Sequence, residues 1–383
     1  MPEPASIDPS RAADAERGGL RPGVLVLSLI CDPLVGANPI TGVLKPGVAE
    51  SWTIAPDAKK VIFRLRAGVR FHNGRELVAQ DYVYSLSRFA HPDTGSVQHF
   101  FLEKVAGYQD VRRRRAAELT GVRAPDPRTL EVELSEPFAE LPALLSHPAA
   151  GSAVPKEEVD KGAEAFGRAP VCTGPYRPAA PWAPGSGEIR LARFNDYVAG
   201  GPDSPLGAGF ADEIVLKTVP DAEAGYALFE REALEASEVP IGRLSAAREG
   251  KVGVEGGSNG LLAYLGFPAG KPPFDKADFR RALSLAIDRQ AIVEGVFAGS
   301  RQVPAGFLPP AAGPGSPANA CPETVKGRAD PKAAAVALMS SGLDPASTKP
   351  PIYFNDAGSG HAIWIAKVAE QWKAGLGIEP SLQ

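Results

Sequence analysis

Between residues 63 and 90 the hydrophobic period changes, and that change constrains the fold more than any other feature of the chain. Over 63–71, Phe63, Leu65, Val69 and Phe71 alternate with Arg64, Arg66 and Arg70. A period of two belongs to half-buried strands, here two joined near Ala67-Gly68, with the arginines on the wet face. His72-Asn73-Gly74 then reads as a turn, Asn-Gly supplying the positive φ values. From 77 to 90 the period becomes helical: Val78, Tyr82, Leu86 and Phe89 recur on one face. Asp81 early and Arg88 late complement the helix dipole.

The same two periods recur downstream. Segments 128–138, 188–194 and 212–219 alternate as strands. Segments 108–119, 222–236 and 274–297 read as helical, the last through Phe279, Leu283, Ile287, Ile292 and Phe297. Residues 330–343 carry a full set of helix signals: Asp330 as N-cap, Pro331 at the first helical position and Gly342 near the C-cap. A strand at 350–356 and a helix at 360–377 follow. Irregular alternation of this kind implies an α/β fold with mixed sheets rather than a regular barrel. The loop-like stretches are 178–187, 199–209 and 303–322, each dense in Pro and Gly.

Composition narrows the function. The chain has 383 residues, 44% hydrophobic and 22% charged, enough for two or three compact lobes. Its net charge of −4 argues against a protein that neutralises phosphates, and no aromatic shares the arginine face at 64–70 for base stacking. The four consecutive arginines, Arg112 to Arg115, fan around a helix rather than forming one basic face; an anion-binding patch is the alternative to a solvated helix. No apolar run reaches 18 residues, and the first nineteen lack the apolar core of a secretion signal, which is either absent or removed. Cys31, Cys172 and Cys321 have no metal-ligand spacing, and an odd count leaves at least one thiol free within the chain.

Catalytic motifs are equally sparse. The five histidines are scattered, none with the i, i+4 spacing of a zinc helix. Residues 256–260 satisfy G-x-S-x-G with Ser258, but 251–255 and 261–267 read as strand–turn–strand, whereas a nucleophile elbow requires strand–turn–helix. No phosphate-binding glycine loop is present. No cofactor, metal or covalent chemistry is implied, and a binding protein leads by elimination.

Several blocks in order, "SIDP" (6–9), "KPGVAESWTIAPDAKKVIFRLRAGVRFHNGRELVAQDYVYSLSRFAHPDTGS" (45–96), "RTLEVELSEP", "VPKEEV", "PVCTGPYR" (170–177), "KPPFDKADFRRALSLAIDRQAI" (271–292), "GFLPP" (306–310) and "DPKAAAVALMSSG", resemble the family 5 extracellular solute-binding proteins of ABC importers. This is their oligopeptide, dipeptide and nickel class, and the oligopeptide-binding type is the most similar. The resemblance implies a type II periplasmic-binding-protein-like fold, α/β, with two lobes of mixed sheets and an extra α/β subdomain. Lobe I would comprise 1–50 and 170–268, the extra subdomain 51–169, and an incomplete lobe II 269–383. Peptides would bind extended between lobes that close by a hinge, held mainly through their main chain.

Site residues carry over from the resemblance only where positions align. Ala13, Asp14 and Ala15 follow the "SIDP" turn, where the family lays an edge beside the ligand backbone. Tyr264 keeps a family aromatic, while Gly266 stands where oligopeptide binders often have an acid. Gln98 falls at a family tyrosine, and His361 where the oligopeptide type has a pocket histidine; the plain alternative for His361 is an exposed residue in a first helical turn. Cys172 replaces a glycine of the family's G-T-G-P-Y, which suggests a reshaped turn. Leu261 stands near a family cysteine, so that family disulfide is not expected. Val78 replaces a Ser/Thr N-cap, a loss of about 0.5–2 kcal/mol unless the helix start shifts. Family members continue beyond "LGIEPSLQ", so 343–383 is expected to pack as a strand and helix with an open sheet edge, in a fragment or a shortened protein.

The expected function is peptide binding without catalysis. The partners are a peptide ligand and ABC permease subunits, with no nucleic acid. The protein is expected to be a monomer outside the cytoplasm, at the membrane only through an anchor not present in this sequence. The alternative is a signal-less, shortened module acting in the cytoplasm as a sensor or repurposed biosynthetic protein. An enzyme using Ser258 or Cys172 is a further rival. Dipeptide, nickel-chelate and sugar ligands stay open.

Overall fold

Residues 60–65 form the strand their alternation predicts: Val61, Phe63 and Leu65 are buried, Ile62 and Arg64 exposed. The computed structural model describes residues 1–12, 22–38, 41–198, 209–250, 253–256, 262–304, 306, 327–354 and 360–383. The chain divides into two compact units, Met1–Asp221 and Ala222–Gln383.

In the first unit β1 (Val35–Ala37) and β2 (Leu44–Pro46) pair antiparallel. A four-stranded antiparallel sheet follows from β3 (Ala49–Ile54), β4 (Lys60–Leu65), β5 (Val122–Asp126) and β6 (Thr129–Glu133), in the order β3-β4-β6-β5. The register sets Phe63 opposite Leu130 and Val61 opposite Val132. The helix Ala79–Ala90 lies on β5 and β6, and its Tyr82, Leu86 and Phe89 join that inner face in one core. A three-stranded antiparallel sheet, β7 (Tyr176–Pro178), β8 (Glu188–Arg193) and β9 (Glu213–Lys217), completes the unit.

The arginine face is a set of separate cross-strand pairings rather than a basic strip. Arg64 donates to Thr129 Oγ1 at 2.6 Å and lies 3.9 Å from Asp126. Lys60 pairs with Glu131 at 2.7 Å and Arg128 with Glu50 at 3.3 Å. Beyond Leu65 the alternation continues as a short hairpin, Arg70 bridging Glu76. Only Gly74 of the Asn-Gly pair takes positive φ, at 87°. The helix starts at Ala79 with Val78 as N-cap, and Asp81 compensates for the missing hydroxyl: the Val78 N–H donates to Asp81 Oδ2 at 2.9 Å. That is half of a capping box.

The 108–119 helix is shorter than its sequence suggests, ending at Arg112. Arg114 turns the chain at φ 55°. The arginines disperse to Ala90 O (Arg112, 3.1 Å), Asp93 (Arg114, 2.6 Å) and Asp110 (Arg115, 2.7 Å), so they do not converge on an anion.

In the second unit the 274–297 region splits into helices Ala277–Leu285 and Arg289–Gly295, because Asp288 caps the second by accepting from the Ala291 N–H at 2.8 Å. The helix Pro331–Ser341 has the ends the sequence specifies, with Asp330 accepting from the Ala333 N–H at 2.9 Å and Gly342 at φ 68°. β10 (Pro351–Ile352), the helix His361–Leu376 and β11 (Ser381–Leu382) follow, and β10 pairs parallel with β11. Among the described residues that sheet has two strands. The expected strands at 251–255 and 261–267 are not found at 253–256 or 262–268. A strand needs a ladder partner, which alternation in the sequence cannot supply.

The core of this unit gathers Phe279, Leu283, Ile365, Val368 and Trp372. Trp372 is fully buried and its Nε1–H donates to Leu283 O at 2.9 Å. Trp372→Ala is expected to lower stability by about 3–5 kcal/mol. Trp372→Phe keeps most of the packing and should lose roughly 1–3 kcal/mol for the orphaned carbonyl. Urea unfolding followed by circular dichroism checks both.

Candidate functional site

The N-terminal turn is fixed by a buried ion pair. Asp8 is fully buried and receives Arg88 through both oxygens, at 2.9 and 2.5 Å. Arg88 also donates to Ser10 Oγ at 2.8 Å, and the Ser10 N–H donates to Asp8 Oδ1 at 3.0 Å. A buried carboxylate is tolerable only when paired and hydrogen-bonded in this way. Arg11 Nε donates to Thr94 O at 2.9 Å, which holds residues 8–12 against the loop that leads to Gln98. Ala13, Asp14 and Ala15 lie outside the described residues. Gln98 precedes the 3₁₀ turn His99–Leu102 and is half-buried; its Oε1 has no donor among the described residues.

A second construction joins three distant segments, and the sequence leaves it open. Cys31 and Cys172 form a disulfide across a sequence separation of 141. His72 clamps the same turn. Its N–H donates to Cys172 O at 2.8 Å, and the Cys172 N–H donates to its Nδ1 at 3.2 Å. With Nδ1 an acceptor, the proton sits on Nε2, which lies 3.1 Å from Gly174 O. The Gly174 N–H reaches Ile30 O at 2.9 Å, and a Cβ there would meet Ile30 C at 2.5 Å, so only glycine fits. Burial pushes His72 down to about 4, with the Gly174 hydrogen bond opposing and Arg177 assisting. Cys172 adopts no positive φ, so the cysteine is accommodated without the strain its place in the turn suggested.

Asp32 follows the disulfide cysteine Cys31 and is half-buried. Burial pushes its carboxyl up to about 7, against a hydrogen bond from Tyr197 and the charge of Arg66. Tyr82 Oη, Ser152 Oγ and Thr173 Oγ1 are buried without partners among the described residues. Burial raises the Tyr82 phenol, with the charges of Asp32 and Asp81 adding to it. These groups pair no nucleophile with a base. Cys172 is spent in the disulfide and Ser258 lies outside the described residues, as does Cys321. No group of three or more His, Cys, Asp or Glu among the described residues is placed to hold a metal ion.

The remaining expected site residues belong to the second unit. Tyr264 is 69% exposed, and Gly266 lies beside it: a Cβ on Gly266 would stand 3.8 Å from the Tyr264 ring. His361 opens the helix His361–Leu376 after Gly360, in its first turn, and is half-buried. Trp364 Nε1–H donates to His361 Nδ1 at 3.0 Å, leaving Nε2 as a donor. An open depression of about 330 Å³ lies elsewhere, lined by Pro2, Glu3, Thr218, Val219 and Pro220, and includes none of these residues.

The model of the bacterial extracellular solute-binding proteins, family 5 (middle), matches residues 43–383. The chain belongs to this family. Among similar proteins, the glutathione-binding protein GsiB of Salmonella paratyphi A is 26% identical over 269 residues, 70% of this chain and 48% of the relative. The probable deoxycholate-binding periplasmic protein YgiS of Escherichia coli is 27% identical over 89% of this chain and 63% of its own length. The chain thus spans about half the length of the GsiB relatives it matches. Among solved structures, the Escherichia coli murein tripeptide binding protein MppA superposes with a TM-score of 0.72 at 22% identity, covering 100% of this chain and 73% of MppA. The agropinic acid complex of AgaA from A. tumefaciens R10 gives a TM-score of 0.72 at 24% identity, with 100% and 71% coverage. These similarities give the type II periplasmic-binding-protein fold.

The His72 clamp makes stability depend on pH. Unfolded, His72 takes its proton near 6.5; folded, near 4. Its contribution is complete above pH 6.5 and is lost as pH falls towards 4, by about 3 kcal/mol at ~1.4 kcal/mol per unit. Asp32 acts in the opposite sense: its contribution is complete below 3.8 and is lost as pH rises towards 7. In urea midpoints taken across this range, His72→Asn is expected to remove the acid-side loss and Asp32→Asn the loss on approaching neutrality. Parallel profiles for wild type and His72→Asn contradict the clamp.

Proposed function

We propose that this protein is a non-catalytic substrate-binding component of an ABC importer, taking peptides of the oligopeptide-like class. The observation that carries the reading is the family match over residues 43–383. It is supported by relatives named for glutathione binding and a structural neighbour named for murein tripeptide binding. In this reading lobe I is formed by 1–50 and 170–268, the extra subdomain by 51–169 and lobe II by 269–383. The lobes close on an extended ligand, with Ala13, Asp14, Ala15, Gln98, Tyr264, Gly266 and His361 as contacts. Main-chain hydrogen bonds give affinity that is independent of side chains. The partners are permease subunits, and the protein works as a monomer.

The buried disulfide supports an extracytoplasmic location over the cytoplasmic alternative, because such bonds persist in oxidising compartments. The closed loop is worth about 5 kcal/mol in the chain-entropy account. In denatured protein, reduction is expected to expose two more titratable thiols than denaturation alone, and Cys172→Ser should lower the melting temperature. An unchanged thiol count removes this support.

Native mass spectrometry of the purified protein is expected to find co-purified peptide, and a mixed peptide library should raise its melting temperature. No bound peptide together with no thermal shift overturns the reading.

A further inference from the structure

Three buried hydroxyls without partners lie in segments that the fold gathers around Asp32. Tyr82, Ser152 and Thr173 are 0%, 4% and 2% exposed, and none of their hydroxyl oxygens has a hydrogen-bond partner among the described residues. Pro33, which follows Asp32, pairs with Ser152 in an antiparallel bridge, and the Leu34 N–H donates to Gly151 O at 2.7 Å. The Cys31–Cys172 disulfide sets Thr173 beside the same stretch, and the Gly174 N–H reaches Ile30 O at 2.9 Å. Tyr82 arrives from the helix Ala79–Ala90. Ser85, three residues on, accepts from the Val154 N–H at 2.8 Å, which fixes this face of the helix against 152–154. The Tyr82 phenol is close enough to Asp32 to feel its charge.

An unmade hydrogen bond on a buried group is costly and rare, so three in one neighbourhood call for an occupant. Its chemistry follows from the surroundings. A hydroxyl both donates and accepts, and the occupant must do the same. The charge of Arg66 acts on Asp32 and disfavours a cation, and no three His, Cys, Asp or Glu among the described residues gather to hold a metal. The Asp32 carboxyl disfavours an anion. Held up to about 7 by burial, that carboxyl is itself a neutral donor and acceptor in mildly acidic solution. A small, neutral molecule that donates and accepts is water. We propose that Asp32, Tyr82, Ser152 and Thr173 form a buried water-binding site, in which one or more ordered waters bridge the Asp32 carboxyl to the hydroxyls. The bridge ties the stretch after helix Pro22–Ile30, the helix Ala79–Ala90 and the turn at 172–174 together, beside the disulfide and the His72 clamp. It does not depend on which ligand the protein carries.

A high-resolution crystal structure of the full chain is expected to show water within hydrogen-bond distance of an Asp32 oxygen and of at least two of the three hydroxyls. Thr173→Val and Tyr82→Phe each remove a hydroxyl with little change of shape, and circular dichroism checks that both variants are folded. Each is expected to lower the melting temperature by about 2–4 °C, the shift for one lost hydrogen bond in a unit of this size. A hydroxyl with no partner at all gives the opposite result, because removing it relieves a cost. A site without water, a bound atom at the short oxygen distances of a metal cation, or variants that melt at or above the wild-type temperature overturn the proposal.

Discussion

The first unit depends on the closure at Cys172–Gly174. There the end of the helix Pro22–Ile30, the hairpin at 70–76 and the entry to β7 meet, joined by one covalent bond and four hydrogen bonds. Each bond serves the others. The disulfide brings Cys172 to the helix end; Gly174, lacking a Cβ, lets its N–H reach Ile30 O; and the neutral imidazole of His72 satisfies a donor and an acceptor of the same turn. An imidazole is unusual in accepting at one nitrogen and donating at the other while uncharged, and burial keeps it uncharged here.

The Asp8–Arg88 pair plays the corresponding part for the N-terminal segment. Removing two charges from water is costly, and the geometry offsets this with a bidentate contact and further bonds to Ser10 and its N–H. The helix that packs on the four-stranded sheet therefore also sets where residues 8–12 run, since Arg88 lies in its last turn. Through Arg11 and Thr94 this arrangement reaches the loop of Val97, Gln98 and Phe100. Packing on the four-stranded sheet, the course of residues 8–12 and the position of the loop that follows Thr94 are consequences of one helix.

Legibility in the sequence followed the range of the interactions. Strands at 60–65, 129–133, 188–193 and 213–217 and the helix at 331–341 were readable because alternation and caps act within a few residues. The sequence carries the helix to 119, but it stops at Arg112 and Arg114 turns the chain in a left-handed conformation that no local rule requires of an arginine. The helical period runs through 274–297 without a break, although Asp288 is a residue type that caps helices. Segment 262–267 has the composition of a strand and forms none, because pairing depends on a neighbour. Of the site residues, Gln98 and His361 came from family resemblance; their surroundings, an inward amide and a tryptophan donor, came from packing.

By itself the sequence determined the class of fold, the family, the wet character of the arginine face and the absence of a recognisable catalytic motif, since composition, period and ordered local blocks are properties of short stretches. Only the tertiary structure decided that Cys31 and Cys172 are partners, that His72 is a neutral clamp and that Asp8 is buried on Arg88. Each of these joins residues between 80 and 141 positions apart. No local pattern encodes such distances; they exist only once the sheets and helices have packed.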